Sequence, residues 1–139
     1  KAEQAELHSK YGRYVPIAVK IAPDLTDEGI CAITDALMTH HIDAVIATNT
    51  TLSREAVAGL PHADEAGGLS GKVLFEASTH VVKVIAKHSK GQLPIIAVGG
   101  IDSAQAAKDK LAAGASLVQI YTGFIYHGPR LVRDIVNSL

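Results

Sequence analysis

The sequence predicts an α/β fold of four parallel strand–helix units, and three observations carry that expectation. Four short apolar runs rich in Ile and Val, at residues 16–22, 43–48, 94–98 and 116–121, have the length and composition of buried parallel strands. The segments that follow them carry helix caps and apolar residues at helical spacing. Strand followed by helix, repeated, requires parallel pairing, because each helix must carry the chain back before the next strand begins. Two architectures satisfy this order: an open doubly wound sheet, or part of a closed barrel of eight such units. A whole barrel needs about 250 residues. With 139 residues, the barrel reading makes this chain one half of a larger molecule.

The elements follow in order. The opening KAEQAELHSKYGRY has no initiator methionine and reads as the polar end of a helix already under way, which suggests a piece of something longer. In the first strand, PIAVKIA, Ile17, Val19 and Ile21 share one face while Ala18, Lys20 and Ala22 share the other. Thr26 and Asp27 can cap a helix running to about residue 40, with Ile30, Ile33, Leu37 and Met38 on one side. The second strand is DAVIAT. Residues 49–71, NTTLSREAVAGLPHADEAGGLSG, show no convincing periodicity. Loops longer than about 12–15 residues are usually functional lids or linkers, and inside a compact α/β unit the lid is favoured. A helix over about 72–88 repeats Val73, Val81, Val82 and Ile85. After PIIAV, Asp102 or Ser103 caps a helix that stops at Gly114, and SLVQIY is the fourth strand. A last helix follows Pro129 through Leu131, Val132, Ile135 and Val136.

Composition narrows the function. The chain is 47% hydrophobic and 19% charged, as expected of one globular domain. Thirteen Lys and Arg face 14 Asp and Glu, and the net charge of -1 leaves no electrostatic footprint for nucleic acid or an anionic membrane surface. The expected partner is a small molecule. One cysteine, Cys31, excludes an internal disulfide, suits a reducing compartment, and sits within a helix as a packing residue. No apolar stretch approaches the roughly 20 residues that span a bilayer, and no signal peptide is legible.

Ligands of parallel α/β proteins bind at the carboxyl ends of the strands. Those ends read Lys20 with Pro23 and Asp24, then Thr48-Asn49-Thr50-Thr51, then Gly99-Gly100, then Tyr121-Thr122-Gly123. Lys20 is costly on an interior face unless an anion or an electron-rich ligand meets it. The diglycine allows backbone N–H groups to approach an oxyanion with no Cβ in the way, and the last two strands of a barrel are where phosphate is often held. His40 and His41 end a helix, where imidazole suits the dipole, and adjacent helical residues cannot face one metal. No His, Cys or carboxylate set has metal-ligand spacing. GGLSG lacks the strand that precedes a nucleophile elbow, so Ser70 is not assigned as a nucleophile.

Taken together, VKIAPDLT, DAVIATNTT, the loop ending AGGLSG, PIIAVGGI and AGASLVQIYTGFIYHGP resemble the C-terminal half of the quinone-linked (class 2) dihydroorotate dehydrogenases, over nearly the whole chain from Tyr14 onward. Class 1 relatives share GGLSG and the diglycine, but IATNTT and IYTGFIYHGP look like class 2. The resemblance implies a fold of four parallel βα units forming the C-terminal half of a flavin-containing (β/α)8 TIM barrel, and residues 1–139 as a single partial domain that carries the flavin-phosphate half. It implies oxidation of dihydroorotate to orotate in pyrimidine biosynthesis, with FMN as cofactor and quinone as acceptor. The parent would lie peripheral to the cytoplasmic side of the cell membrane.

By position, the resemblance implies that Lys20 and Thr48 contact the flavin ring, that Asn49 and Thr50 bind substrate, and that Gly71 and Gly100 give backbone contacts to FMN. Tyr121 and Thr122 would close on its phosphate; related sequences often carry serine where Thr122 stands, which keeps the hydroxyl. Gly100 is the expected contact and Gly99 the expected turn. The family's catalytic base is a serine on a loop of the other half of the barrel, so no catalytic base is assigned here, and the quinone site belongs to N-terminal helices. The chain alone is therefore expected to be inactive. Two other readings compete. One is a different phosphate-binding barrel, such as a sugar-phosphate isomerase or synthase, which leaves Lys20 and ATNTT without roles. The other is a non-catalytic half barrel that self-associates through its open sheet edges.

Overall fold

The computed structural model describes residues 1–139 and contains one parallel sheet. Its strands are β1 (Ala18–Ile21), β2 (Ala44–Ala47), β3 (Ile95–Val98) and β4 (Leu117–Gln119), paired in the order β1-β2-β3-β4. Each strand pairs with its successor, without the reversal that marks a doubly wound sheet. Right-handed crossovers repeated in one direction place the helices on one face, as in a (β/α)8 barrel. The strands are shorter than the apolar runs that announce them, in part because Pro16 and Pro94 have no N–H to offer a ladder.

The register separates two faces. Val19, Val45 and Ile95 form one row, and Ile21, Ala47, Ala97 and Val118 the next. These residues join Ile30 and Leu37 of α2 (Asp27–Thr39) and Val81, Val82 and Ile85 of α3 (Phe75–His88) in the main core. Burying each of the large aliphatic side chains contributes about 1.5–3 kcal/mol. On the opposite face Lys20 pairs with Ile46, Ile46 with Ile96 and Ile96 with Leu117, and both ends of this row, Lys20 and Leu117, are exposed. A second cluster joins Ile101 to Ala106 and Ala107 of α4 (Ala104–Ala112) and to Leu131 and Ile135 of α6 (Pro129–Val136).

Local chemistry sets the helix ends. The Thr26 hydroxyl accepts from the Gly29 N–H at 3.2 Å, and Ser103, rather than Asp102, caps α4 by accepting from the Ala106 N–H at 3.2 Å. The helix expected from residue 72 begins as a 3-10 turn at Lys72–Leu74, and α3 follows. Two exposed pairs, His80 with Asp27 at 2.6 Å and His88 with Asp35 at 2.7 Å, lie across the α2–α3 contact. The opening segment is helical, α1 (Ala2–Tyr11), and ends at Gly12 in the left-handed conformation. Asp43, just before β2, ties this segment to the sheet: its carboxylate accepts from the Tyr14 hydroxyl, from the Ile17 N–H at 2.8 Å and from Gln4 Nε2 at 3.3 Å. No helix is long and apolar enough to cross a membrane.

The long connection after β2 is an ordered loop despite its lack of periodicity. Its two legs meet at an antiparallel bridge between Thr51 and Leu69. The Arg54 guanidinium donates to the carbonyls of Glu65 at 3.0 Å and Gly67 at 2.5 Å, closing the far end much as a compact Ω-loop packs on its own side chains. Asp24, at the end of β1, accepts from the Thr51 hydroxyl and from the Leu52 N–H at 2.8 Å, anchoring the loop to the sheet.

Candidate functional site

All four strands deliver their carboxyl ends to one cleft of about 570 Å³, within the range of roughly 300–1,000 Å³ usual for small-molecule sites. Lys20 enters from β1, while Thr48, Asn49 and Thr50 follow β2, and Gly99 and Gly100 follow β3. Gln119 ends β4, and Tyr121 and Thr122 follow it, with Thr122 opening the short α5 (Thr122–His127). The returning leg of the long loop adds Ser70, Gly71 and Lys72. All the residues to which the resemblance gives a flavin or substrate contact, Lys20, Thr48, Asn49, Thr50, Gly71, Gly100, Tyr121 and Thr122, thus lie in the lining of one cavity.

The environments of these residues differ. Thr48 is buried, and its hydroxyl donates to the Asn49 carbonyl at 2.9 Å. Asn49 is exposed, and its side-chain oxygen accepts from the Thr50 N–H at 3.0 Å, which orients the amide. Thr122 donates from its hydroxyl to Ser70 Oγ at 3.0 Å, linking the β4 end to the long loop. Ser70 thus serves as the acceptor that joins the two segments. Tyr121 is 73% exposed. Lys72 reaches Asp102 at 3.5 Å across the cleft rim, an exposed pair of small energetic weight.

The diglycine also has a local packing cause that the sequence did not reveal. Both residues have positive φ, 115° at Gly99 and 73° at Gly100. A Cβ on Gly99 would lie 2.7 Å from Ser78 Oγ, and one on Gly100 would lie 2.5 Å from Phe75 Cα. The missing side chains therefore make room for the first turn of α3. The two glycines still line the cleft, seated flush against that helix. Gly68 of the GGLSG motif acts similarly: its Cβ would fall 1.8 Å from Thr50 Oγ1, so only glycine lets the loop's return leg press on the β2 end.

Sequence reasoning passed over Lys110 of α4. It is fully buried, with Nζ donating to Ser78 Oγ at 2.5 Å and to the Phe75 carbonyl at 3.2 Å, and lying 4.8 Å from the centre of the Phe75 ring. Burial pushes its pKa down to about 8, an effect only partly opposed by Glu76. The one available signal was that Lys110 falls at the apolar spacing of a short helix, i+3 and i+4 from Ala107 and Ala106, where a lysine is out of place.

A one-directional parallel α/β unit with a polar cleft across its strand ends defines the class: part of a (β/α)8 barrel with its ligand site at the carboxyl end of the sheet. The sequence profile of the family described as "Dihydroorotate dehydrogenase" matches residues 2–139, and the chain belongs to that family. It is 60% identical over 139 residues to a dihydroorotate dehydrogenase (quinone) of Vibrio vulnificus (strain CMCP6), covering 100% of this chain and 41% of that protein. It is 62% identical over 139 residues to the protein of the same name from Thiobacillus denitrificans, again across 41% of its length. Among solved structures, the dihydroorotate dehydrogenase of Eimeria tenella in complex with ferulenol superposes with a TM-score of 0.86 at 41% identity, over 94% of this chain and 34% of that one. The chain thus spans less than half the length of these relatives.

Proposed function

We propose that this chain is the flavin-phosphate half of an FMN-dependent dihydroorotate:quinone oxidoreductase acting in pyrimidine biosynthesis at the membrane surface, and that residues outside it complete the active site. The observation that carries the reading is the convergence, in one cleft, of a lysine, an Asn-Thr pair and three backbone-rich loops from all four strand ends. The donor set fits FMN. Lys20 offers a cation on the open face of the sheet, and Gly71, Gly100, Tyr121 and Thr122 offer peptide groups and a hydroxyl for the ribityl phosphate. When bound, the flavin supplies the acceptor for the two electrons that leave dihydroorotate.

The remaining chemistry falls to side chains. Lys20 would hold the ring and offer it a fixed positive charge, the kind of preorganised electrostatic stabilisation that lowers a barrier without reorganisation. Thr48, fixed by its bond to the Asn49 carbonyl, would help hold the ring together with Lys20. Asn49 can donate to and accept from a pyrimidine ring, and Thr50, held under Gly68, borders the same space. Proton removal from the substrate is assigned to a base outside this chain. The FMN reading gives roles to Lys20 and ATNTT, which a sugar-phosphate barrel leaves without any.

The test compares the complete protein with this chain alone. Dihydroorotate oxidation with a soluble quinone is expected from the complete, FMN-loaded protein, and none from the isolated chain. Turnover by the isolated chain would overturn the assignment of the base, and its absence from the complete protein would overturn the activity.

A further inference from the structure

We propose that Lys110 is a positioning residue for the diglycine wall of the cleft, acting through Phe75 and Ser78 to set the Gly99–Gly100 turn that receives the cofactor's phosphate; this rests on the FMN reading above. The residues that occupy the space over the two glycines are Ser78, opposite Gly99, and Phe75, opposite Gly100. Lys110 grips the same two: its Nζ donates to Ser78 Oγ at 2.5 Å and to the Phe75 carbonyl at 3.2 Å, and lies 4.8 Å from the Phe75 ring centre. Ser78 Oγ in turn lies 3.1 Å from the Gly99 carbonyl and 2.8 Å from that of Leu74. A hydroxyl has one hydrogen. With Lys110 donating to Ser78 and, together with the Thr79 hydroxyl at 2.6 Å, to the Phe75 carbonyl, that hydrogen is left for the Leu74 and Gly99 carbonyls.

A buried lysine is an expensive way to fill space. Its ammonium is held by a hydroxyl, a carbonyl and a ring face, and burial lowers its pKa to about 8. A methionine would fill the same volume without that desolvation. What a methionine cannot do is hold Ser78 and the Phe75 carbonyl at fixed distance while a turn with two positive-φ glycines, free to adopt other conformations, rests on them. The position of the turn's peptide groups at the cleft thus depends on α4, an element with no residue in the cleft lining.

The experiment uses the complete flavoprotein and compares FMN with riboflavin, which lacks the phosphate. K110M and S78A should each weaken FMN by about tenfold, the effect of one strong hydrogen bond, while leaving riboflavin affinity unchanged. A merely structural role would weaken both flavins together or neither. S78A keeps the helix and removes only the bridging hydroxyl, so it carries the test if K110M does not fold. An unchanged ratio of FMN to riboflavin affinity in a folded variant overturns the proposal. A wild-type protein that binds neither flavin overturns the FMN reading and this proposal with it.

Discussion

At the scale of single residues, glycines and one lysine decide how closely the parts of the cleft approach. Gly100 is the tightest case, since an added Cβ would meet backbone atoms of Phe75 at 2.5 and 2.6 Å, which cannot rotate away. G100A is therefore expected to destabilise the fold by about 1–3 kcal/mol through overpacking and positive-φ strain, read as a lower urea midpoint with unchanged slope. A midpoint equal to that of the parent would show that α3 can retreat. The diglycine was legible in the sequence as a special backbone site, but its cause was not: that Phe75 and Ser78 lie over it is a long-range fact no local pattern encodes. Lys110 escaped for the same reason. Its spacing placed it on a helix, and only the packing of α4 beneath α3 shows that the side chain is buried.

At the scale of elements, the four strands and the α2, α3, α4 and α6 helices were legible because alternation, caps and apolar spacing are local properties. Thr26 and Ser103 cap as their residue types predict. The segment 49–71 was legible only as a lid-like exception, since its order comes from distant partners: Arg54 reaching carbonyls across the loop and Asp24 reaching back from β1. Asp43 is the comparable device at the other end of the sheet. Hydrogen bonds from Tyr14 foremost, then Ile17 and Gln4, with the charge of Lys1, hold its pKa at about 2 against an ordinary 3.8. A carboxyl depressed in this way stabilises the fold above its unfolded pKa, and that contribution is lost as pH falls through the folded one. D43N should thus lose stability at neutral pH and flatten the stability profile between about pH 4 and 2, as followed by acid titration of the helical circular dichroism signal. A profile unchanged by the substitution would show that the contacts at Asp43 contribute nothing net.

At the scale of the whole molecule, strictly sequential strand order leaves β1 and β4 as the sheet's two edges, and the row from Lys20 to Leu117 is open at both ends. Leu117 of β4 is exposed, as are Ile125 and Tyr126 of the α5 helix that follows it. Such edges call for pairing, and relatives more than twice as long have the chain to supply it. Half of the architecture was legible because each βα unit announces itself; the choice between barrel and open sheet rested on resemblance, and the pairing order now carries it on structural grounds. The proposed site is legible to the same degree. The strand-end motifs marked its residues one by one, and the fold brings them around one cavity, whereas which group each would touch depends on a ligand. The central claim is that this cavity holds FMN, and it is tested most directly by a crystal structure of the complete protein grown with FMN. The account predicts the phosphate within hydrogen-bond distance of the Gly100, Tyr121 and Thr122 peptide groups and the ring lying along Lys20 and Thr48. A flavin bound away from these strand ends, or none bound at all, would contradict it.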